Sequence, residues 1–251
     1  MPLRLIVRGL LAGLIAGLLA GGFAYVFGEP HVDAAIAIEE AAAHAGGEVS
    51  HHEEELVSRG TQSGAGLFLA TGLYGLALGG IFAIAYTLLR RRLRVASDAR
   101  AALGLAAGTL LGFVVVPFLK YPANPPAVGD PATIDQRTIA YLAVVVLGLV
   151  AVWAGVLAAR TQAAEWRRAV AGAGGFLVVV VVAYLLLPTF DEVPQTFPAT
   201  LLWDFRISSL GTQVVLWSVL GLTFAGMLST VRSRTGSPAA PASPAGADSL
   251  V

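Results

Sequence analysis

The sequence predicts an all-α integral membrane protein with six transmembrane helices, and three observations carry that prediction. Of 251 residues, 56% are hydrophobic and 13% charged, a balance suited to lipid rather than to a water-soluble domain. Six apolar stretches are each long enough to cross a hydrocarbon core of about 30 Å at about 1.5 Å per residue. Lys and Arg are divided unevenly between the segments that join them.

The spans are expected at Gly9–Phe27, Gly64–Leu89, Ala101–Leu119, Thr138–Ala159, Ala169–Leu187 and Ile207–Leu228, and none contains a charged residue. Twelve of the 16 basic residues fall on one side of these spans; the other side has Arg59, Lys120, Arg137 and Arg206. Cationic loops stay in the cytoplasm, so both termini are placed inside, in a multi-pass protein of the inner (plasma) membrane. Thirteen of the 16 acidic residues lie on the outer side. Arg4 and Arg8 could head a cleaved signal peptide, but the apolar run is long for one and no clean small-x-small site follows it. The chain is therefore divided into a six-helix domain over residues 1–231, an external His/Glu-rich loop over 29–62 within it, and a disordered cytoplasmic tail over 232–251 rich in Pro, Ala, Ser and Gly.

The first helix carries Gly9, Gly13, Gly17 and Gly21 at four-residue spacing, with Ala12, Ala16 and Ala20 in a second small row. Gly75, Gly79 and Ala83 repeat the device in the second helix, and Gly104, Gly108 and Gly112 in the third. Residues four apart share a helix face, and small faces let membrane helices approach closely. Packing faces are the simpler reading; a glycine-lined passage is the sharper one. The first, third and fifth helices each start Gly/Ala-rich and meet proline near their outer ends, at Pro30, at Pro117 with Pro122, and at Pro188. Three parallel helical hairpins would give this repeat; so would chance in a chain dominated by Ala, Gly, Leu and Val.

All four histidines lie in the first outer loop, His31, His44, His51 and His52, together with eight acidic residues. Imidazole and carboxylate are the ligand set of divalent transition metals such as cobalt, nickel or zinc. Glu29, His31, His44, His51, His52, Glu53, Glu54 and Glu55 are the candidate ligands. Residues 31–44 read as helical, with a break at Gly46 and Gly47. The competing interpretation is a solvated acidic loop that binds nothing tightly but concentrates cations at a pore mouth.

The second outer loop, KYPANPPAVGDPATIDQRT, is too rich in proline to be helical through most of its length; Thr133 or Asp135 is expected to cap the helix that follows. The third is PTFDEVPQTFPATLLWDFRISSLGTQ. Its Asp204 and Arg206 are positioned to pair with Arg137 or Asp135, bracing the outer face. Tyr25, Thr71, Tyr74, Thr109, Tyr141, Thr212 and Gln213 are the polar handles within or near the spans, and no charge is placed at mid-membrane.

The chain has no cysteine, which removes thiolate metal sites, disulfides and cysteine nucleophiles. There is no Walker A motif, no HExxH, and no nucleophile–base or paired-carboxylate arrangement in the spans, so no enzyme activity and no resident cofactor is expected. Net charge is zero and no long basic stripe suggests nucleic acid.

FLKYPANPPAVGDPATIDQRT (residues 118–138) and FPATLLWDFRISSLGTQVVLW (residues 197–217) closely resemble the corresponding stretches of CbtA-type proteins, the probable cobalt transporter subunit family. RGLLAGLIAGLLAGG, followed by Glu29 and His31, resembles the family's first helix. The resemblance covers about Arg8 to Leu228. It implies a membrane subunit for cobalt uptake linked to cobalamin synthesis, with a short CbtB-type membrane partner bearing its own histidines. It assigns no ligand, and the HHEEE run is outside the matched pattern. The expectation is a six-helix protein, oligomeric state open, that takes Co2+, with nickel as a second candidate ion, from the external loop and passes it between glycine-faced helices. The alternatives are a transporter of an organic compound such as a corrinoid, and a metal-binding membrane scaffold without flux.

Overall fold

The computed structural model describes residues 2–45, 58–93 and 95–235. Six helices in it are long and apolar enough to cross a membrane, and no strand occurs among the described residues. We number the helices α1 (Pro2–Phe27), α2 (Glu29–Ala45), α3 (Arg59–Leu89), α4 (Asp98–Lys120), α5 (Ile134–Arg160), α6 (Glu165–Leu186) and α7 (Ala199–Thr235).

Only a turn at Gly28 separates α1 from α2, with Val32 N–H donating to the Gly28 carbonyl. Pro30 stands in the first turn of α2, where a residue without an N–H is tolerated. Residues 31–44 are helical, as the spacing predicts; Gly46 and Gly47 lie outside the described residues. Pro117 stands inside α4, where the turns over Leu110–Val115 widen to π-helical geometry just before it.

The two small rows of α1 serve two neighbours. Its glycines face Gly75 and Gly79 of α3: a Cβ on Gly13 would fall on the Gly75 carbonyl oxygen, and one on Gly79 would fall on that of Gly9. Its alanines, Ala12, Ala16 and Ala20, are buried in the main core, to which α7 contributes Leu216, Trp217, Leu220 and Phe224. The glycine stripes are therefore filled by the backbone of the facing helix. A passage between glycine-faced α1 and α3 does not exist in this packing, and that expectation is corrected.

Helix α7 is the centre of the bundle. It packs on α1 and on α4, and its Phe224 meets Phe82 and Tyr86 of α3 at 5.3 Å between ring centres. Helix α5 joins α4 through a second glycine contact, Gly112 against Gly148, and α6 lies on α5, where Gly172 and Gly175 meet Gly155 and Ala158. Helix α1 thus packs on α3, and α4 on α5. The third expected hairpin, α6 with α7, does not close, because the small residues of α6 match α5, and α7 is held between α1 and α4. Helix α7 also begins eight residues before the apolar run, so Trp203, Asp204 and Arg206 are helical.

The helix ends that carry most of the acidic residues gather on one side. Ala35 of α2 is fully buried there in a second cluster with Phe197 and Leu202, and Ile38, Ala127, Val128 and Val193 pack around it. Helix α2 thus docks over both proline-rich loops. We call this the acidic end.

Candidate functional site

The loops at the acidic end, residues 121–133 and 187–198, are tied together by Glu192. Its carboxylate accepts from the Asp130 amide at 3.0 Å and from the Thr133 hydroxyl, and pairs with Arg137 at 3.1 Å. The Arg137 guanidinium also donates to the Asp130 carbonyl and lies against Gly129, whose φ of 131° is a conformation that side-chain-bearing residues rarely adopt. The Tyr121 hydroxyl donates to the Pro188 carbonyl at 2.6 Å, and Lys120 Nζ donates to the Tyr184 carbonyl at 3.1 Å. Arg206 donates to Asn124 Oδ1 at 2.9 Å and to the Ala123 carbonyl at 3.3 Å. The bracing expected of this face is present with different partners: Arg137 pairs with Glu192, and Arg206 bonds neutral oxygens instead of pairing with Asp135. Of the expected caps, Thr133 holds the N-cap position of α5 but its side chain makes no capping bond there, while the Asp130 side chain caps the turn Pro131–Thr133.

The braced loops roof a cavity of about 890 Å³ between α3, α4, α5 and α7. Lys120, Tyr121, Asn124, Arg137 and Arg206 line it, all within the two motifs that carry the family resemblance. Deeper in, Tyr74 sits beside Gln213 and Tyr141. Gln213 Oε1 and Arg137 Nε are buried without a hydrogen-bond partner. The sequence marks these residues as polar handles or matched positions. Their convergence depends on long-range pairing that no local spacing encodes.

Thr133, the Asp130 amide and Arg137 together hold the Glu192 carboxyl below the usual carboxylate range. A lowered native pKa gives stability that is complete above the unfolded-state value of about 4.3 and is lost as pH falls through the native one. We expect melting temperature in detergent to fall with pH below about 4.3 in the parent chain, and that part of the fall to be absent in Glu192→Gln. Parallel acid profiles for the two would show that Glu192 carries no such linkage.

The candidate metal residues are placed differently. Glu29 is engaged by Arg59, which also contacts Asp33 at 2.9 Å. His31 donates its Nδ1–H to the Phe27 carbonyl at 2.8 Å, leaving Nε2 as the nitrogen with a lone pair. Glu29 and His31 are two apart on one helix and so point to different faces. His44 is exposed one turn after Glu40, a pair that shares a face and that the sequence reading did not single out. His51, His52, Glu53, Glu54 and Glu55 lie outside the described residues. Among the described residues no three His, Asp or Glu side chains converge on one point.

The sequence profile of the family described as "Probable cobalt transporter subunit (CbtA)" matches residues 3–229. The chain belongs to the CbtA family. No curated protein and no solved structure matches it. With its six apolar helices, that membership makes it a multi-pass membrane protein, and the matched region takes in all six spans and the braced cavity. The word "subunit" in the family description implies a complex.

Proposed function

We propose that this CbtA-family chain is the membrane subunit through which divalent cobalt enters the cell, supplying cobalamin synthesis, with the acidic end outside and both termini in the cytoplasm. The single observation that carries this reading is the family match across residues 3–229. The chain's charge asymmetry supports the orientation, since twelve of its 16 basic residues lie at the other end.

The external segment concentrates the ion. His31 offers Nε2, Glu40 and His44 offer a shared helix face, and His51, His52 and Glu53–Glu55 follow in the chain; Glu29 joins only on leaving Arg59. The cobalt then reaches the cavity under the two braced loops. Passage between glycine faces is no part of this proposal. A short CbtB-type membrane subunit with histidines completes the route, and the chain itself performs no enzymatic step and holds no cofactor.

Under cobalt limitation, His31→Ala with His44→Ala is expected to lower cellular cobalt accumulation several-fold at unchanged membrane level. Unchanged accumulation in that double variant removes these imidazoles from the mechanism. Reconstitution with and without the small subunit, read as cobalt, nickel and zinc flux, tests the transport reading itself. Metal binding without flux in either case would leave a scaffold.

A further inference from the structure

The cavity at the acidic end is poorly furnished for a bare dication. Among the described residues no histidine lines it. The acidic side chains that line it among the described residues are Asp191, which is exposed, and Glu192, whose oxygens are taken by Arg137, Thr133 and the Asp130 amide. Three basic side chains line the same space. Of these, Arg137 is neutralised by Glu192, whereas none of the four ion pairs among the described residues includes Lys120 or Arg206. Both spend donors only on neutral oxygens, Lys120 on a carbonyl and Arg206 on a carbonyl and an amide. A guanidinium has five N–H donors, so Arg206 keeps most of its fork. Two uncompensated cations in a partly desolvated space repel Co2+ and attract an anion.

The volume of about 890 Å³ is in the range of organic-ligand sites and far beyond one inorganic ion. Its walls are mixed as such sites are: Phe113, Phe118 and Phe190 beside Asn124, Ser209 and Gln213. The buried, unpartnered Gln213 Oε1 and Arg137 Nε leave an acceptor and a donor unused. Carboxylates meet these demands, because the same group accepts a guanidinium fork and ligates a divalent transition metal.

We infer that the cavity is a polycarboxylate site in which Lys120 and Arg206 hold the anion, so that cobalt is received there as a carboxylate complex and not as the bare ion. The inference rests on the cobalt reading for its cargo, but anion binding stands or falls by itself.

Calorimetry on the full chain in neutral detergent tests it, with citrate, the cobalt–citrate complex, cobalt chloride and inorganic phosphate as probes. Citrate and cobalt–citrate are expected to bind saturably and to compete with each other. Their affinity should drop at least tenfold in Lys120→Gln/Arg206→Gln and be largely kept in Lys120→Arg and in Arg206→Lys. The two charge-keeping variants preserve the test if the double neutral variant fails to fold, since loss of citrate binding in both would count against the charge argument. No saturable citrate binding, equal affinity in parent and neutral variant, or displacement of citrate by phosphatidylglycerol micelles (a lipid phosphate as the true occupant) would each overturn the inference. Flux in proteoliposomes separates it from the transport reading. Cobalt flux that ignores citrate and both substitutions leaves the transport reading intact and sinks this one; citrate binding with no cobalt flux in any form does the reverse.

Discussion

Replacing Gly79 by leucine is expected to leave little folded protein in the membrane. The residue's α-carbon faces Gly13 of α1, and any side chain there must enter the space held by the Gly9 carbonyl and the Gly13 backbone. Nothing in that wall can swing aside, because it is main chain on both helices. Even one added methyl in a filled interior costs about 1–3 kcal/mol, so Gly79→Ala should already lower the melting temperature in detergent. Leucine forces α1 and α3 apart along their whole contact. It also breaks the second face of α1, where Ala12, Ala16 and Ala20 are held against the α7 core. Gly104→Ala is the control. That glycine is exposed on α4 with nothing within 4 Å of a built Cβ, and the better helix former should be neutral or stabilise by up to about 1 kcal/mol. The readouts are the yield of membrane-inserted, monodisperse protein and its melting temperature. Parent-like values for Gly79→Leu would mean that the two helices do not meet at these residues.

What the sequence reveals, and what it hides, divides along the same physical line. Apolar length reveals all six spans, because lipid leaves a spanning segment few conformations besides helix. Four-residue spacing reveals that Gly9, Gly13, Gly17 and Gly21 form one close-packing face, but a stripe of small residues does not name its partner. The stripe meets Gly75 and Gly79, and Gly112 meets Gly148, which shares a face with Ala151 and Gly155; neither pairing is written in the spacing. The start of α7 was misplaced because Asp204 and Arg206 end an apolar run without ending a helix: Asp204 is exposed, and Arg206 turns to Asn124. Glu192 stands in the third outer loop, where bracing is expected, but nothing in the sequence names its partners. Its bonds reach Asp130, Thr133 and Arg137 from about sixty residues away, and only the fold brings those groups together. The motifs carrying the family resemblance were visible as strings; that they face each other across one cavity was not.

Arg137→Ala is expected to uncouple the two braced loops and reduce cobalt uptake at least tenfold while the helix bundle stays assembled. The side chain makes three kinds of contact: the ion pair with Glu192, the bond to the Asp130 carbonyl, and packing on Gly129. Removing it leaves the Glu192 carboxylate with Thr133 and the Asp130 amide but without a countercharge. It also empties the space over Gly129, whose left-handed backbone is then no longer held down. The core residues Leu220, Phe224 and Ala16 belong to a separate cluster and do not touch this network, so the loss should be local. Hydrogen exchange distinguishes the outcomes. Amides of residues 121–133 and 187–198 should exchange at least tenfold faster, and those of the α1, α3 and α7 core at the parent rate. Glu192→Ala should give the same pattern, and adding it to Arg137→Ala should cost less than the sum of the single effects, since the two side chains act through one contact. Additive effects, or faster exchange across the bundle core, would show that Arg137 supports the whole fold instead of the roof of the cavity.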